Sequence, residues 1–244
     1  MIKWHIGCSG FYYKHWKGSF YPEGLAQSKW FDYYCKHFNT LELNVTFYRF
    51  PRISLLQSWY GKSPADFRFA VKAPRAITHF KQFIGVTDML ADFYSTAAEG
   101  LQEKLGCVLF QMGPRFVYKP ERLERILTNL DSSFLNVVEF RDPSWWQEDV
   151  FKQLRSKNIS FCGMSHPTLP KDIVINAPLL YYRLHGEGEL YASDYKEEQL
   201  QALVDVVKNE NRTEDAYIFF NNDIHTYAVY NALSLQKLTS GLNT

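Results

Sequence analysis

Short apolar runs alternate along this chain with longer stretches in which apolar residues recur at helical spacing. Eight of the short runs fall at about Trp4–Gly7, Thr40–Asn44, Phe67–Lys72, Cys107–Gln111, Val137–Arg141, Ile159–Gly163, Leu180–His185 and Tyr217–Asn221. Most are rich in β-branched or aromatic residues and too short for helices, as expected of parallel strands buried on both faces. Between them the spacing predicts helices. One opens at Ser28, a suitable N-cap, and reaches His37; Ser54–Lys62 is a second. Val86–Lys104 is long, with Gly106 as its terminator. Lys119–Leu130 starts around Pro120, and Pro143-Ser144-Trp145 leads into a helix to about Lys157. Asp194–Asn209 sets Leu200, Leu203, Val204 and Val207 on one face, and the last helix runs from about Thr226 to Leu238. Ser165–Ala177, with Pro167 and Pro170, has no helical period and predicts an irregular connection after the sixth strand.

This alternation, without a linker or a shift in composition, points to an α/β fold: a single (β/α)8 TIM-type barrel with parallel strands over residues 1–244. An open doubly wound sheet is the rival architecture. The length of 244 residues agrees with the roughly 250 typical of one barrel.

Charge and cysteine usage narrow the function classes. Lys plus Arg number 27 and Asp plus Glu 26, a net charge of +1, which gives no support to a general nucleic-acid or membrane-surface binder but leaves room for a local basic patch. Cys8, Cys35, Cys107 and Cys162 form no Cys-x-x-Cys pair and read as free thiols packed like small hydrophobes. No basic-then-apolar leader and no apolar run near ~18 residues is present, so the expected setting is cytoplasmic, without membrane association.

The polar residues gather at one end of the strands. Alternate side chains of a strand share a face, so Glu42 and Asn44 point together, as do Glu139 and Arg141, and Arg183 and His185. Lys72, Gln111 and Asn221 each close a strand, and Asn222 and Asp223 follow directly. Unpaired buried charge costs several kcal/mol, so such placement is not expected by chance. In a (β/α)8 barrel this C-terminal rim is where active sites lie. The alternative is structural: two carboxylates and three cations that pair with one another and plug the mouth.

The expected roles follow from chemistry. Glu42 and Glu139, from strands two and five, are candidate paired acid and base. Lys72 is a candidate base or amine nucleophile, and His185 a second acid–base group. Arg141 and Arg183 would hold negative charge, while Asn44, Gln111, Asn221, Asn222 and His79 would orient a substrate. Trp145 would either stack on a ligand or pack in the core. Three cations against two carboxylates leave a surplus of one, which suits an anionic or strongly polar ligand. No His-x-x-x-His or His-Glu-x-x-His spacing occurs, and neither a metal nor a cofactor is expected.

These segments carry a resemblance. Gly7-Cys8-Ser9-Gly10 with Trp16-Lys17-Gly18-Ser19-Phe20-Tyr21-Pro22, Glu42-Leu43-Asn44-Val45-Thr46-Phe47-Tyr48 and Phe69-Ala70-Val71-Lys72 begin it. Ile77-Thr78-His79, Lys104-Leu105-Gly106 with Phe110-Gln111, Glu139-Phe140-Arg141 with Ser144-Trp145, Tyr182-Arg183-Leu184-His185-Gly186 and Phe220-Asn221-Asn222 complete it. Together they resemble the YecE-like family, the domain of unknown function numbered seventy-two, over nearly the whole chain. The resemblance implies a (β/α)8-type barrel and no assigned activity. It also implies an Asp after strand six, where this chain has Gly163-Met164-Ser165-His166, and Pro in place of Gly113.

Three functions are therefore expected to compete. The leading one is an enzyme acting on a small polar, anionic substrate by general acid–base chemistry; hydrolase, isomerase and lyase chemistry are not separable from sequence. The second is a non-catalytic binder of a phosphorylated metabolite or, less favoured, a nucleic-acid end. The third is a metal-dependent phosphodiesterase or sugar-isomerase-like enzyme. Oligomeric state is open.

Overall fold

The computed structural model describes residues 1–240. Eight strands are present: β1 (Lys3–Cys8), β2 (Thr40–Leu43), β3 (Arg68–Lys72), β4 (Leu105–Gln111), β5 (Asn136–Glu139), β6 (Ile159–Ser165), β7 (Leu179–Leu184) and β8 (Asp215–Phe220). All pair in parallel in one sheet of order β1-β8-β7-β6-β5-β4-β3-β2, curled into a nearly closed barrel. The helices are α1 (Trp30–Tyr34), α2 (Val45–Tyr48), α3 (Ile53–Lys62), α4 (Thr87–Leu101), α5 (Pro120–Asn129), α6 (Glu148–Ser156), α7 (Glu197–Asn209) and α8 (Tyr227–Ser240). No helix joins β6 to β7, as the prolines of that segment predict. There the side chain of Asn176 accepts from Phe161 N–H (2.8 Å) and donates to Ile159 O (3.0 Å), pairing the start of β6 before β7 begins. The open doubly wound alternative is excluded by the pairing of β1 with β8.

Two helix boundaries differ from expectation. Ser28 does not cap α1: residues Gln27–Lys29 form a 3-10 turn whose Gln27 carbonyl takes the Trp30 N–H, so no hydroxyl is needed there. Gly106 does not terminate α4, which ends at Leu101 before Gln102 at φ +48°. Gly106 lies inside β4, where a Cβ would collide with the Tyr217 hydroxyl across the barrel.

The core has two parts. One fills the space between sheet and helices. The other fills the barrel, with Ala70, Cys107, Leu109, Val137, Cys162, Met164, Tyr181, Tyr217 and Phe219. The inward positions two residues further along β3, β4, β5, β7 and β8 are Lys72, Gln111, Glu139, Arg183 and Asn221. An apolar barrel thus changes to a polar layer within one residue pair of the strand ends.

Between β1 and β2 there is no ladder of hydrogen bonds. The phenol of Tyr34, on α1, stands in that seam. Its oxygen accepts from Cys8 N–H (2.8 Å) and donates to Thr40 O (3.0 Å), joining the two strands through one buried hydroxyl. Gly7 allows the approach, since a Cβ there would lie 2.5 Å from Thr40 O and 2.8 Å from the Tyr34 hydroxyl. Cys8, Cys107 and Cys162 are buried and Cys35 is partly exposed, all as free thiols.

Candidate functional site

The polar layer is organised around Arg183, which is 2% exposed. Its Nε and Nη2 donate to the two oxygens of Glu42 (2.8 and 2.7 Å), and Nη1 donates to Glu139 Oε2 (2.7 Å) and His185 Nε2 (3.2 Å). Ser9 Oγ, 3.5 Å from Nη2, completes the set. All five guanidinium hydrogens therefore have acceptors. Glu42 also accepts from Tyr181 Oη (2.8 Å) and Asn44 Nδ2 (2.9 Å). Glu139 accepts from Gln111 Nε2 (2.7 Å) and from Arg141 Nε.

Strand parity brings together Glu42, Asn44, Lys72, Gln111, Glu139, Arg141, Arg183, His185 and Asn221. Glu42 and Glu139 do not face each other across an open mouth, because Arg183 lies between them. Burial alone would raise both carboxyl pKa values. Arg183 at Glu42, and Arg141 with Arg183 at Glu139, outweigh burial and hold both below the usual carboxylate range. Glu42, Arg183 and Glu139 thus pair with one another. His185 is fully buried, and burial followed by the two guanidinium groups pushes its pKa well below that of an ordinary imidazole. Its surroundings therefore favour the neutral imidazole. Its Nε2 accepts from Arg141 Nη2 (2.9 Å) and Arg183, so its proton sits on Nδ1. Asn221, 3.0 Å away, meets that proton once its amide presents Oδ1.

Lys72 is different. It is 7% exposed, yet its Nζ makes no hydrogen bond or ion pair among the described residues. It lies over the ring of Phe47, 4.3 Å from the centroid. Burial, then Arg183, bring its pKa down to about 8 against the pull of Glu139 and Glu42. Thr46 Oγ1 donates to Lys72 O (2.6 Å) and Leu43 O (2.9 Å), fixing the end of β3 against the turn after β2.

Lys72 opens into a cavity of about 550 Å³ whose walls include Tyr13, His15, Asn44, Phe47, Gln111, Arg141, Tyr191, Asn221 and Asp223. An apolar cleft of about 380 Å³, with Phe11, Tyr12, Leu55 and Trp59, adjoins it and shares Tyr13 and Asn44. A larger cleft, about 640 Å³, lies at the opposite end of the barrel around His5, Arg68 and Asp215. The C-terminal mouth is the stronger candidate because Lys72, Gln111, Arg141, Arg183 and Asn221, from or just beyond the ends of five strands, converge on its cavity.

Two expected contacts, Asn222 and His79, lie elsewhere, and Trp145 takes the core position that was its other expected place. Asn222 is buried behind the rim, donating to Ser193 O (2.8 Å) and Asn231 Oδ1 (2.7 Å), because it follows Asn221 and so takes the opposite face. His79 packs edge-on against Phe47 (5.0 Å) and does not line the cavity. Trp145 is core, stacked 3.9 Å from Phe140 and donating to Phe116 O (2.5 Å).

One pair was missed. His15 Nε2 lies 2.8 Å from Asp223 Oδ2, whose other oxygen accepts from Trp16 Nε1 (2.6 Å). Burial raises the Asp223 pKa to about 6. The signal was weak, because His15 comes from a loop where strand parity says nothing. Among the described residues, no three His, Cys, Asp or Glu side chains converge to hold a metal. No described helix is long and apolar enough to cross a membrane.

Comparison with known proteins agrees with this architecture. A DUF72 family protein of Thermotoga maritima is similar with a TM-score of 0.85 and 30% identity, over 97% of this chain and 98% of that one. A DUF72 family protein of Enterococcus faecalis shares the fold at a TM-score of 0.83 and 20% identity, over 99% of this chain and 96% of that one. The UPF0759 protein YecE of Escherichia coli is 27% identical over 159 residues, 64% of this chain and 55% of its own length, so the match spans little more than half of that relative. The UPF0759 protein YunF of Bacillus subtilis is 29% identical over 145 residues, 57% of this chain and 51% of its own length. The family model described as "Protein of unknown function DUF72" matches residues 5–243, and the chain belongs to that family.

Proposed function

We propose that the C-terminal mouth binds a small anionic molecule and acts on it by acid–base chemistry, as an enzyme. The observation that carries this reading is the Lys72 ammonium, nearly buried and unpaired beside carboxylates already neutralised by Arg183 and Arg141. A buried charge without a partner is costly, and an incoming anion supplies the partner. Arg141 lines the same cavity, and its Nη1 has no partner among the described residues. In this reading Lys72 and Arg141 receive the anion. The His15–Asp223 pair and Lys72 exchange protons, while Glu42 and Glu139 hold Arg183 in place.

The rim supports the same sign of ligand. The loops after β1 to β4 carry exposed Lys14 and Lys17, Arg49 and Arg52, Arg75 and Lys81, and Arg115 and Lys119. The chain as a whole is nearly neutral, so this half of the mouth concentrates its positive charge and draws anions inward. The test is thermal unfolding with inorganic phosphate, sulfate and small carboxylates. A ligand at ~100 times its Kd stabilises the fold by about 2.7 kcal/mol, a rise in Tm of roughly 5–10 °C for a chain of this size. Lys72→Met is expected to weaken that ligand about tenfold or more. A wild-type Tm unmoved by every anion would sink the reading.

A second reading, a nucleic-acid end, is favoured by one feature. Arg75 lies 5.8 Å over Tyr48 and 5.3 Å over Phe80, both exposed on the rim, and such cation–aromatic platforms suit unstacked bases. Binding of a short single-stranded oligonucleotide whose affinity falls steeply with salt would select it over the first.

A further inference from the structure

An ammonium whose only task is to hold an anion gains by staying charged. It is usually left near water or beside a carboxylate. Lys72 is only 7% exposed, and it forms no ion pair with the carboxylates beside it. Its stem runs from the end of β3, anchored through Thr46, and its Nζ rests on the Phe47 ring at 4.3 Å. The two nearby carboxylates are committed to Arg183, and guanidinium groups stand close by. The surroundings therefore favour the neutral amine more than those of a surface lysine do. With a pKa of about 8, about one Lys72 in ten is unprotonated at pH 7, against roughly one in several thousand for an ordinary lysine. A neutral amine inside a partly enclosed polar cavity is a nucleophile.

We propose that the Lys72 amine condenses with a small carbonyl compound bearing a carboxylate or phosphate, whose anionic group lies on Arg141. This rests on the anion-binding reading above and names its substrate class. The Nζ lone pair attacks the carbonyl carbon, and the C=O π pair moves to oxygen, which takes a proton. Loss of that hydroxyl as water leaves a C=Nζ double bond. Amine plus carbonyl gives imine plus water, with no oxidant or reductant, and both hydrogens of the water come from the amine. His15, paired with Asp223 at 2.8 Å, lies on the wall of the same cavity and in this proposal carries those protons.

The test uses the full chain at pH 7 with cyanoborohydride, which fixes an imine as a stable secondary amine. Glyoxylate serves as the carboxylate probe and glycolaldehyde phosphate as the phosphate probe, and adducts are located by peptide mass spectrometry. Lys72 is expected to be modified about tenfold or more faster than exposed Lys36 and Lys152, the gain in neutral amine being partly offset by its lower basicity. Inorganic phosphate should slow this labelling, and the faster probe identifies the anionic group. Lys72 reacting no faster than the surface lysines overturns the imine. Lys72→Arg separates the two readings: it keeps the charge, so phosphate should still raise its Tm, while the fast adduct disappears. Phosphate stabilisation in the wild type without fast Lys72 labelling would leave the anion site standing and the imine refuted.

Discussion

At the scale of single residues, Arg183 matters most to stability and Lys72 to chemistry. Arg183 binds two buried carboxylates at once, so its removal leaves Glu42 without an ion-pair partner and Glu139 with Arg141 alone. Arg183→Met is expected to cost about 3–5 kcal/mol at neutral pH in urea denaturation. The sign of the pH effect follows from the lowered pKa values of Glu42 and Glu139. In the wild type their stabilisation is complete above the unfolded carboxylate pKa, near ~4.3, and is lost as the pH falls through the folded values. In the variant the same carboxyls bind protons readily, so its deficit should shrink towards pH 4; a deficit that stays constant from pH 7 to 4 would contradict the network. Most of this cluster was legible in sequence because strand parity is strict: Glu42, Lys72, Gln111, Glu139, Arg183 and Asn221 all turn inward. What was not legible was the pairing, since Glu42 and Arg183 are distant in sequence and either could have faced a ligand.

At the scale of elements, all eight strands are legible to within two residues, because buried parallel strands leave continuous apolar runs bounded by polar ones. The loops are not. His15, Tyr13 and Asp223 reach the cavity from connections, and Phe47 from the single turn of α2, whose courses depend on tertiary packing, so no periodicity announces them. Ser28 and Gly106 show the converse: cap chemistry suggested boundaries, and a 3-10 turn and a crowded barrel interior decided otherwise. The seam between β1 and β2 gives the sharpest test at this level. Tyr34→Phe removes the hydroxyl that links Cys8 N–H to Thr40 O and leaves both buried groups unpaired. A loss of about 1–3 kcal/mol is expected, together with faster amide exchange at Cys8 and unchanged exchange in the β7–β8 ladder. Equal acceleration throughout would mean that the hydroxyl contributes only to global stability.

At the scale of the whole molecule, a net charge of +1 conceals a basic half-rim, because composition sums over a surface that the fold divides. The sheet is divided too, and not where the chain ends. Its edges are β1 and β2, while β1 and β8, the first and last strands, are fully paired. Read from β2 round to β1, the strands follow one another in unbroken sequence. The molecule is thus a ring of units whose covalent break and hydrogen-bond break fall at neighbouring joints. A circular permutant that links the two termini and opens the backbone at exposed Gly24 would begin before α1 and finish with β1 and its loop, making covalent and sheet order coincide. Because opening there cuts none of the seven strand pairings, such a permutant is expected to fold with the same circular dichroism and a Tm close to that of the parent.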